Sequence, residues 1–544
     1  MRKFKKGHLT IKKALNYLAA LLFMMFSLTN CAKRGAPTGG PLDSIPPVFV
    51  KATPPNYSTN FNKKEIRIFF DEYIKLEDYQ KQLIISPPLK NSIISPQGSA
   101  SKFIKIEITD TLVPNTTYVF NFGQSIQDNN ENNPFSSFKY VMSTGDYIDS
   151  LTVSGTIIDE LSAKPDNFVS VMLYAVDNTL SDSIVFKEPP RYVTNTLDSL
   201  TTFEIGNIKE GEYMLIAMKD EDANYTFQPK KDKIAFLKEY ITIPTDSSYT
   251  LKLFKETAPL KISRPKQLAE GHISFGVEGP VDSLDIILLT PKPTGYKSLL
   301  TKKPNQDSLH YWYKPKIEID SLIFEAKGME YKDTLITRLR NRKPDSLAFT
   351  NRTGRTLIPN RPFELYSSTP ITSFKEELIT MYRDSTTIPL TVKKDSLFTQ
   401  LNLDFEYKED TAYQVQFLPG AITDFFNAVN DTLTYSFSTK EESDYGGIKI
   451  NLVNATNFPY IVRLLSSQGD VLKNIPTTEE TTFDFEFLEP GDYKIQVVED
   501  ANANGIYDTG NYLEKVQPEN VINFGKTIEV RPSWFAVENF PLKN

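Results

Sequence analysis

The feature that most constrains this chain is a period of two. Ile66, Ile68 and Phe70 alternate with Arg67 and Phe69, and Ile104, Ile106 and Ile108 alternate with Lys105 and Glu107. Far downstream, Phe483, Phe485 and Phe487 alternate with Asp484 and Glu486. Tyr118, Phe120 and Phe122 share one face of a run, as do Tyr493, Ile495 and Val497. Successive side chains of a strand point to opposite faces, so such runs form half-buried antiparallel strands. Clusters of Pro, Asn, Asp and Gly separate them. Helical spacing is confined to a short stretch at residues 76–83. The expectation is an all-β chain. Its 544 residues suit several domains of roughly 100–150 residues each. About seven runs per hundred residues favour sandwiches over barrels.

Composition narrows the function classes. Forty percent of residues are hydrophobic, which is enough to fill cores and excludes wholesale disorder. With 68 acids against 61 bases and a net charge of -7, the chain lacks the basic footprint of a nucleic-acid binder, so no nucleic-acid partner is expected. Three His and one Cys exclude an intrachain disulfide framework and leave almost nothing for a zinc cluster.

The N-terminus carries an address. Residues 1–13 hold six bases and no acid, and an apolar run follows at 14–28. That run makes about 22 Å of helix, short of a hydrocarbon core of roughly 30 Å, so it reads as a secretory signal. It ends in Leu28-Thr29-Asn30-Cys31. This resembles a lipobox, the recognition site of bacterial lipoprotein signal peptidase, with Asn30 where Gly, Ala or Ser is usual. Cys31 is the only cysteine of the chain. The resemblance implies that residues 1–30 are a signal peptide and that Cys31 is lipidated. Removing them takes six bases and no acid, leaving 514 residues with a net charge of -13. The alternative is an incidental thiol behind an ordinary signal peptide. Each buried CH₂ contributes about 0.8 kcal/mol, so two or more acyl chains anchor stably. An acidic body is otherwise repelled by an anionic membrane. Residues 31–45 are small and rich in Gly and Pro, a flexible tether reaching about 20 Å. Lys33 and Arg34 follow the cysteine, where surface-exported lipoproteins carry acids. The expected location is therefore the cell outer membrane, periplasm-facing rather than surface-exposed.

Two internal repeats organise the body. In the first, Asn115-Thr116-Thr117-Tyr118 through Met142-Ser143-Thr144 pairs with Asp410-Thr411-Ala412-Tyr413 through Phe437-Ser438-Thr439. Leu112 to Tyr118 carries the spacing of a tyrosine corner, in which a Tyr hydroxyl bonds to an upstream backbone group. With Pro46-Pro47 and the Ile66 to Glu72 strand, this region resembles the bacterial Ig-like domain family, covering 46–146 and, more loosely, 346–440. The resemblance implies a sandwich without catalysis. In the second repeat, Gly211-Glu212-Tyr213 through Asn224 pairs with Gly491-Asp492-Tyr493 through Asn504. It resembles transthyretin-like, carboxypeptidase-regulatory-like β-sandwich modules, assigned to 150–257 and 445–541. Residues 258–345 form a β-rich domain of unknown type. The whole resembles lipid-anchored Ig-like domain proteins of outer-membrane bacteria.

Several constellations are candidates for chemistry. Asp500-x-Asn502-x-Asn504-Gly505-x-x-Asp508 places oxygens at alternate positions around a Gly, as a calcium loop does. Asn511 stands where the bidentate Glu of such a loop belongs. The competing expectation is a plain Asx-rich turn, since Asn-Gly is a strong hairpin signal. Calcium is the one cofactor raised; no other is expected. His310-Tyr311-Trp312-Tyr313 is a candidate aromatic platform for glycans, against the alternative of an ordinary half-buried strand. Arg338, Arg340, Arg342 and Lys343 form a basic cluster, either a polyanion contact or a solvated loop. No catalytic motif appears, and the carboxylate pair Asp71-Glu72 falls on opposite faces of a strand. The sequence thus points to a non-catalytic envelope scaffold that meets the membrane through its anchor and a protein or glycan partner. A glycan-binding module is the alternative, and a glycosidase-type enzyme a third.

Overall fold

A computed structural model describes residues 43–542, apart from 160, 163–165, 179, 198–199, 280–283, 303–305 and 329–330. Cys31, the signal segment and most of the tether lie outside the described residues. Among the described residues, five sandwiches of two main sheets follow one another along the chain, the fourth with an added two-stranded ribbon of Ile371–Phe374 and Ile422–Asp424, and each closes over its own apolar core. The helical stretch expected at residues 76–83 is a single turn, Tyr79–Gln82. Among the described residues no helix is long and apolar enough to cross a membrane.

In the first domain the long strand Glu65–Leu76 sits between Phe49–Thr53 and Ser101–Ile108, facing a sheet of Ile84–Ser86, Thr117–Asn121 and Lys139–Ser143. The alternating isoleucines do what their period requires. Ile66, Ile68, Ile104 and Ile106 are fully buried and meet Tyr118, Phe120 and Tyr140 from the opposite sheet. The tyrosine corner is present, with the Val113 N–H donating to the Tyr118 hydroxyl at 2.9 Å. The fourth domain repeats it, with Lys408 N–H donating to the Tyr413 hydroxyl at 2.9 Å. Even the supporting threonines correspond. Thr116 and Thr411 N–H donate to the hydroxyls of Thr144 and Thr439, which in turn donate to the carbonyls of Val113 and Lys408.

The second and fifth domains share a different plan. Leu151–Ile158 lies between the antiparallel Thr202–Ile208 and the parallel Ser248–Lys252. Gly446–Val453 lies likewise between the antiparallel Thr482–Leu488 and the parallel Phe535–Pro541. Both carry a left-handed residue four positions before the Gly that opens the next strand, Asn207 (φ 59°) before Gly211 and Phe487 (φ 53°) before Gly491. That backbone reversal ends the alternation at Phe487, so Phe483 and Phe485 are buried while Phe487 is only half-buried. The third domain pairs a sheet centred on His272–Glu278 and Ser308–Lys314 with one of Asp285–Leu288, Ser321–Gly328 and Tyr331–Arg338.

Candidate functional site

Strand Gly211–Lys219 departs from the period of two. Tyr213 to Met218 are all buried. Tyr213, Leu215 and Ala217 face the sandwich core, and Met214, Ile216 and Met218 join a second apolar cluster on the outer face. A strand apolar on both faces must be covered on both. Part of the cover is local, from Val185, Phe186 and Phe227, and part comes from Tyr512 of the fifth domain.

Tyr512 is fully buried there. Its ring meets Phe236 edge-on at 5.4 Å and Phe186 at 6.3 Å, a geometry favoured by the ring quadrupoles. Polar bonds ring this plug. The Glu256 carboxylate accepts the Tyr512 N–H at 2.5 Å, and Thr509 donates to the Lys255 carbonyl at 2.7 Å. Lys515 pairs with Asp182 at 2.6 Å while lying over the Tyr512 ring. Gln517 donates to the Phe236 carbonyl, Lys252 to Asn520 and Gln496 to the Leu161 carbonyl. Burial raises the Glu256 carboxyl above the usual range, against the Tyr512 N–H that lowers it. The fifth domain is therefore clasped onto the second, and the chain returns upon itself.

The predicted calcium loop supplies the arm of this clasp. Asp500 is buried, and its two oxygens accept the N–H groups of Asn504 (3.1 Å) and Gly505 (2.8 Å). The side-chain amides of Asn502 and Asn504 both donate to Asp508 Oδ2, at 2.6 and 2.7 Å. Glu519, which the motif did not include, accepts from Ala501 and Asp508 N–H. Burial holds its carboxyl above the usual range, with the charges of Asp508 and Asp500 adding to the rise. The second domain builds the same turn. Asp220 accepts from Asp222 and Tyr225 N–H, and Asp232 accepts from Glu221 and Gln228. The third and fifth residues after each leading Asp are left-handed in both copies: Ala223 and Tyr225, Ala503 and Gly505. These bonds close each turn with the chain's own N–H groups, in the manner of Asx turns. Among the described residues no group of three or more His, Cys, Asp or Glu side chains is placed to hold a metal.

The aromatic patch is not a platform. Trp312 is 1% exposed, and His310, Tyr311 and Tyr313 are buried as well. Tyr311 and Tyr313 fill the core of the third domain. On the other face Trp312 stacks on His272 at 3.6 Å and meets Phe426 of the fourth domain at 6.1 Å. The period-two pattern correctly puts His310 and Trp312 on one face, but that face is covered by the next domain. There Asp345, His272, His310 and Ser308 form a line, with contacts of 2.5, 2.8 and 3.2 Å. One assignment of protons satisfies it: each group accepts from the next, ending on the Ser308 hydroxyl. Its ends lie on the third domain and the segment leading to the fourth, so it ties the joint.

The chain is a tandem of five β-sandwiches, two of them closed by tyrosine corners. Residues 43–144 match the family model of the bacterial Ig-like domain. No curated protein matches the chain. Among solved structures, domains 1–6 of the surface layer protein SbsC are similar at 11% identity, covering 88% of this chain and 67% of that one, with a TM-score of 0.15. The major pilin subunit BcpA of Bacillus cereus is similar at 10% identity, over 73% of this chain and 99% of its own, with a TM-score of 0.13. The I9–I11 tandem of titin is similar at 12% identity, over 52% and 100%, with a TM-score of 0.12.

Proposed function

We propose that this protein is a non-catalytic scaffold of the cell envelope, held at the outer membrane by acyl chains on Cys31 and facing the periplasm. The observation that supports the scaffold reading best is the clasp. Relative motion is the default for domains joined only through small interfaces with their neighbours, whereas the contact of Tyr512 with Met214, 298 residues apart, links the second domain directly to the fifth. Such a link holds the loops and sheet edges of the two domains at fixed spacings, as presentation of a partner site requires. The anchor rests on Leu28-Thr29-Asn30-Cys31 and on the absence of any other cysteine.

Labelling of cells with palmitate tests the anchor. Label is expected on the native chain and absent from Cys31→Ser; equal labelling of both defeats it. A native chain with the mass of its unmodified amino acids defeats it equally. Crosslinked pull-down from intact envelopes tests the scaffold reading and identifies the partner.

A further inference from the structure

The two sheets of the third domain meet along one edge. Thr337 Oγ1 donates to the Pro265 carbonyl at 3.1 Å, the Arg340 N–H to Gln267 Oε1 at 2.8 Å, and Arg342 Nη1 to the Leu268 carbonyl at 3.3 Å. These bonds bring the edge strand Lys266–Ala269 beside the end of strand Tyr331–Arg338, distant from it in sequence. The consequence is a basic ridge. Arg264 and Lys266 from one side, and Arg338, Arg340, Arg342 and Lys343 from the other, are all exposed. Of the nearby acids, Glu270 pairs with Lys316 at 3.7 Å and Asp345 with His272 at 2.5 Å, while Asp320, whose carbonyl accepts the Leu339 N–H, stands exposed beside the ridge. Among the described residues none of the six cations makes an ion pair. This ridge stands on a chain of net charge -7.

An apolar face adjoins the ridge. Ile336 is paired with Ile323 across the strands, and Leu289 N–H bonds to the Ile323 carbonyl, so the three lie side by side on the outer face of the sheet. They are 51%, 39% and 50% exposed. Arg338 follows Ile336 by two residues on that same face. Contiguous exposed aliphatic side chains beside unpaired arginines mark an interaction site.

We propose that this ridge and face form a docking surface for an anionic lipid bilayer. The arginines meet headgroup phosphates, for which their planar fork is matched, and the two isoleucines and Leu289 enter the headgroup–acyl boundary. The apolar face selects this partner over a soluble polyanion, since an anionic glycan or nucleic acid needs only the charges. The surface gives the chain a second membrane contact, independent of the acyl anchor and made by the body.

Sedimentation with vesicles tests it, using the full chain carrying Cys31→Ser so that no acyl chain contributes. Binding is expected to vesicles of phosphatidylcholine with one third phosphatidylglycerol, weakened by salt, and not to phosphatidylcholine alone. The triple variant Arg264→Gln, Arg338→Gln, Arg340→Gln should lose on the order of 100-fold in affinity. Its melting curve should be unchanged because all three side chains are exposed. Ile336→Ser should weaken binding while leaving its salt dependence intact. Equal binding to both vesicles, or an undiminished triple variant, overturns the proposal. Inorganic polyphosphate bound as tightly as the vesicles, with Ile336→Ser silent, overturns it in favour of a soluble polyanion. None of these outcomes bears on Cys31 acylation, which palmitate labelling reads separately.

Discussion

The hydroxyl of Tyr512 lies 3.2 Å from the sulfur of Met214, 298 residues earlier in the chain. The contact is buried and sits at the centre of a ring of charged and polar bonds between the fifth and second domains. Removing the aromatic ring leaves a cavity lined by Phe186, Phe236 and Met214. Tyr512→Ala is therefore expected to cost about 3–5 kcal/mol, the usual price of a large buried aromatic. Tyr512→Phe keeps the ring and should cost at most about 1 kcal/mol. Calorimetry on the full chain reads both, and small-angle scattering should show Tyr512→Ala expanded as the clasp opens. An alanine variant that melts and scatters like the native chain would refute the clasp.

Tyrosine corners close the first and fourth domains. Tyr118→Phe removes the bond from Val113 N–H at 2.9 Å, and Tyr413→Phe removes the bond from Lys408 N–H at 2.9 Å together with a longer one to the Lys408 carbonyl at 3.4 Å, each variant at a cost of about 1 kcal/mol. Urea unfolding should show each loss, and Tyr57→Phe, at a ring 61% exposed, should show none.

Asp500 and Asp220 close equivalent turns by accepting backbone N–H groups. Replacing either with Ala strands those donors, at a cost of about 1–3 kcal/mol. The oxygens that calcium would use already hold N–H groups, so the melting temperature is expected to be the same in excess calcium and in chelator. A calcium-dependent rise that Asp500→Ala abolishes would instead establish a metal loop at Asp500, Asn502, Asn504 and Asp508.

Asp128 gives the first domain an acid-sensitive element. Burial pushes its carboxyl up, but the N–H groups of Glu131, Asn133, Asn130 and Asn132 together outweigh burial and hold it below the usual carboxylate range. A folded-state value below the unfolded one contributes stability above the unfolded value of about 3.9 and loses it as pH falls through the folded value. The contribution should be constant from neutrality to about pH 5 and decline below about pH 4. Melting of Asp128→Asn should lack that part of the decline.

The strands and corners are legible in the sequence because they are local. Ile66 to Phe70 announces its buried face by alternation alone, and Tyr118 announces its corner by its distance from Val113. The covered outer faces are not legible in the same way. The Tyr213 to Met218 run breaks alternation, and that break signals burial on both sides. Part of what covers it is Tyr512, in another domain and beyond the reach of any periodic signal. Trp312 misleads for the same reason, since a strand pattern divides its residues between two faces without saying which face another domain will meet. Glu519 escapes the motif because it follows Tyr512, past the end of the Asp500 to Asp508 spacing, and returns to that turn only in three dimensions. Its counterpart Asp232 stands closer to its own turn, yet no spacing rule includes it either.

The parallel closing strands have a mechanical corollary. In the fifth domain Phe535–Pro541 runs alongside Gly446–Val453 in the same direction, paired from Gly447–Phe535 to Val453–Pro541. Two neighbouring strands that point the same way begin at one pole of the sandwich and end at the other. Tension applied between the start of the first strand and the end of the last therefore acts along the ladder, in shear. Every rung bears load together, and the module resists stretching far better than a hairpin peeled open one bond at a time.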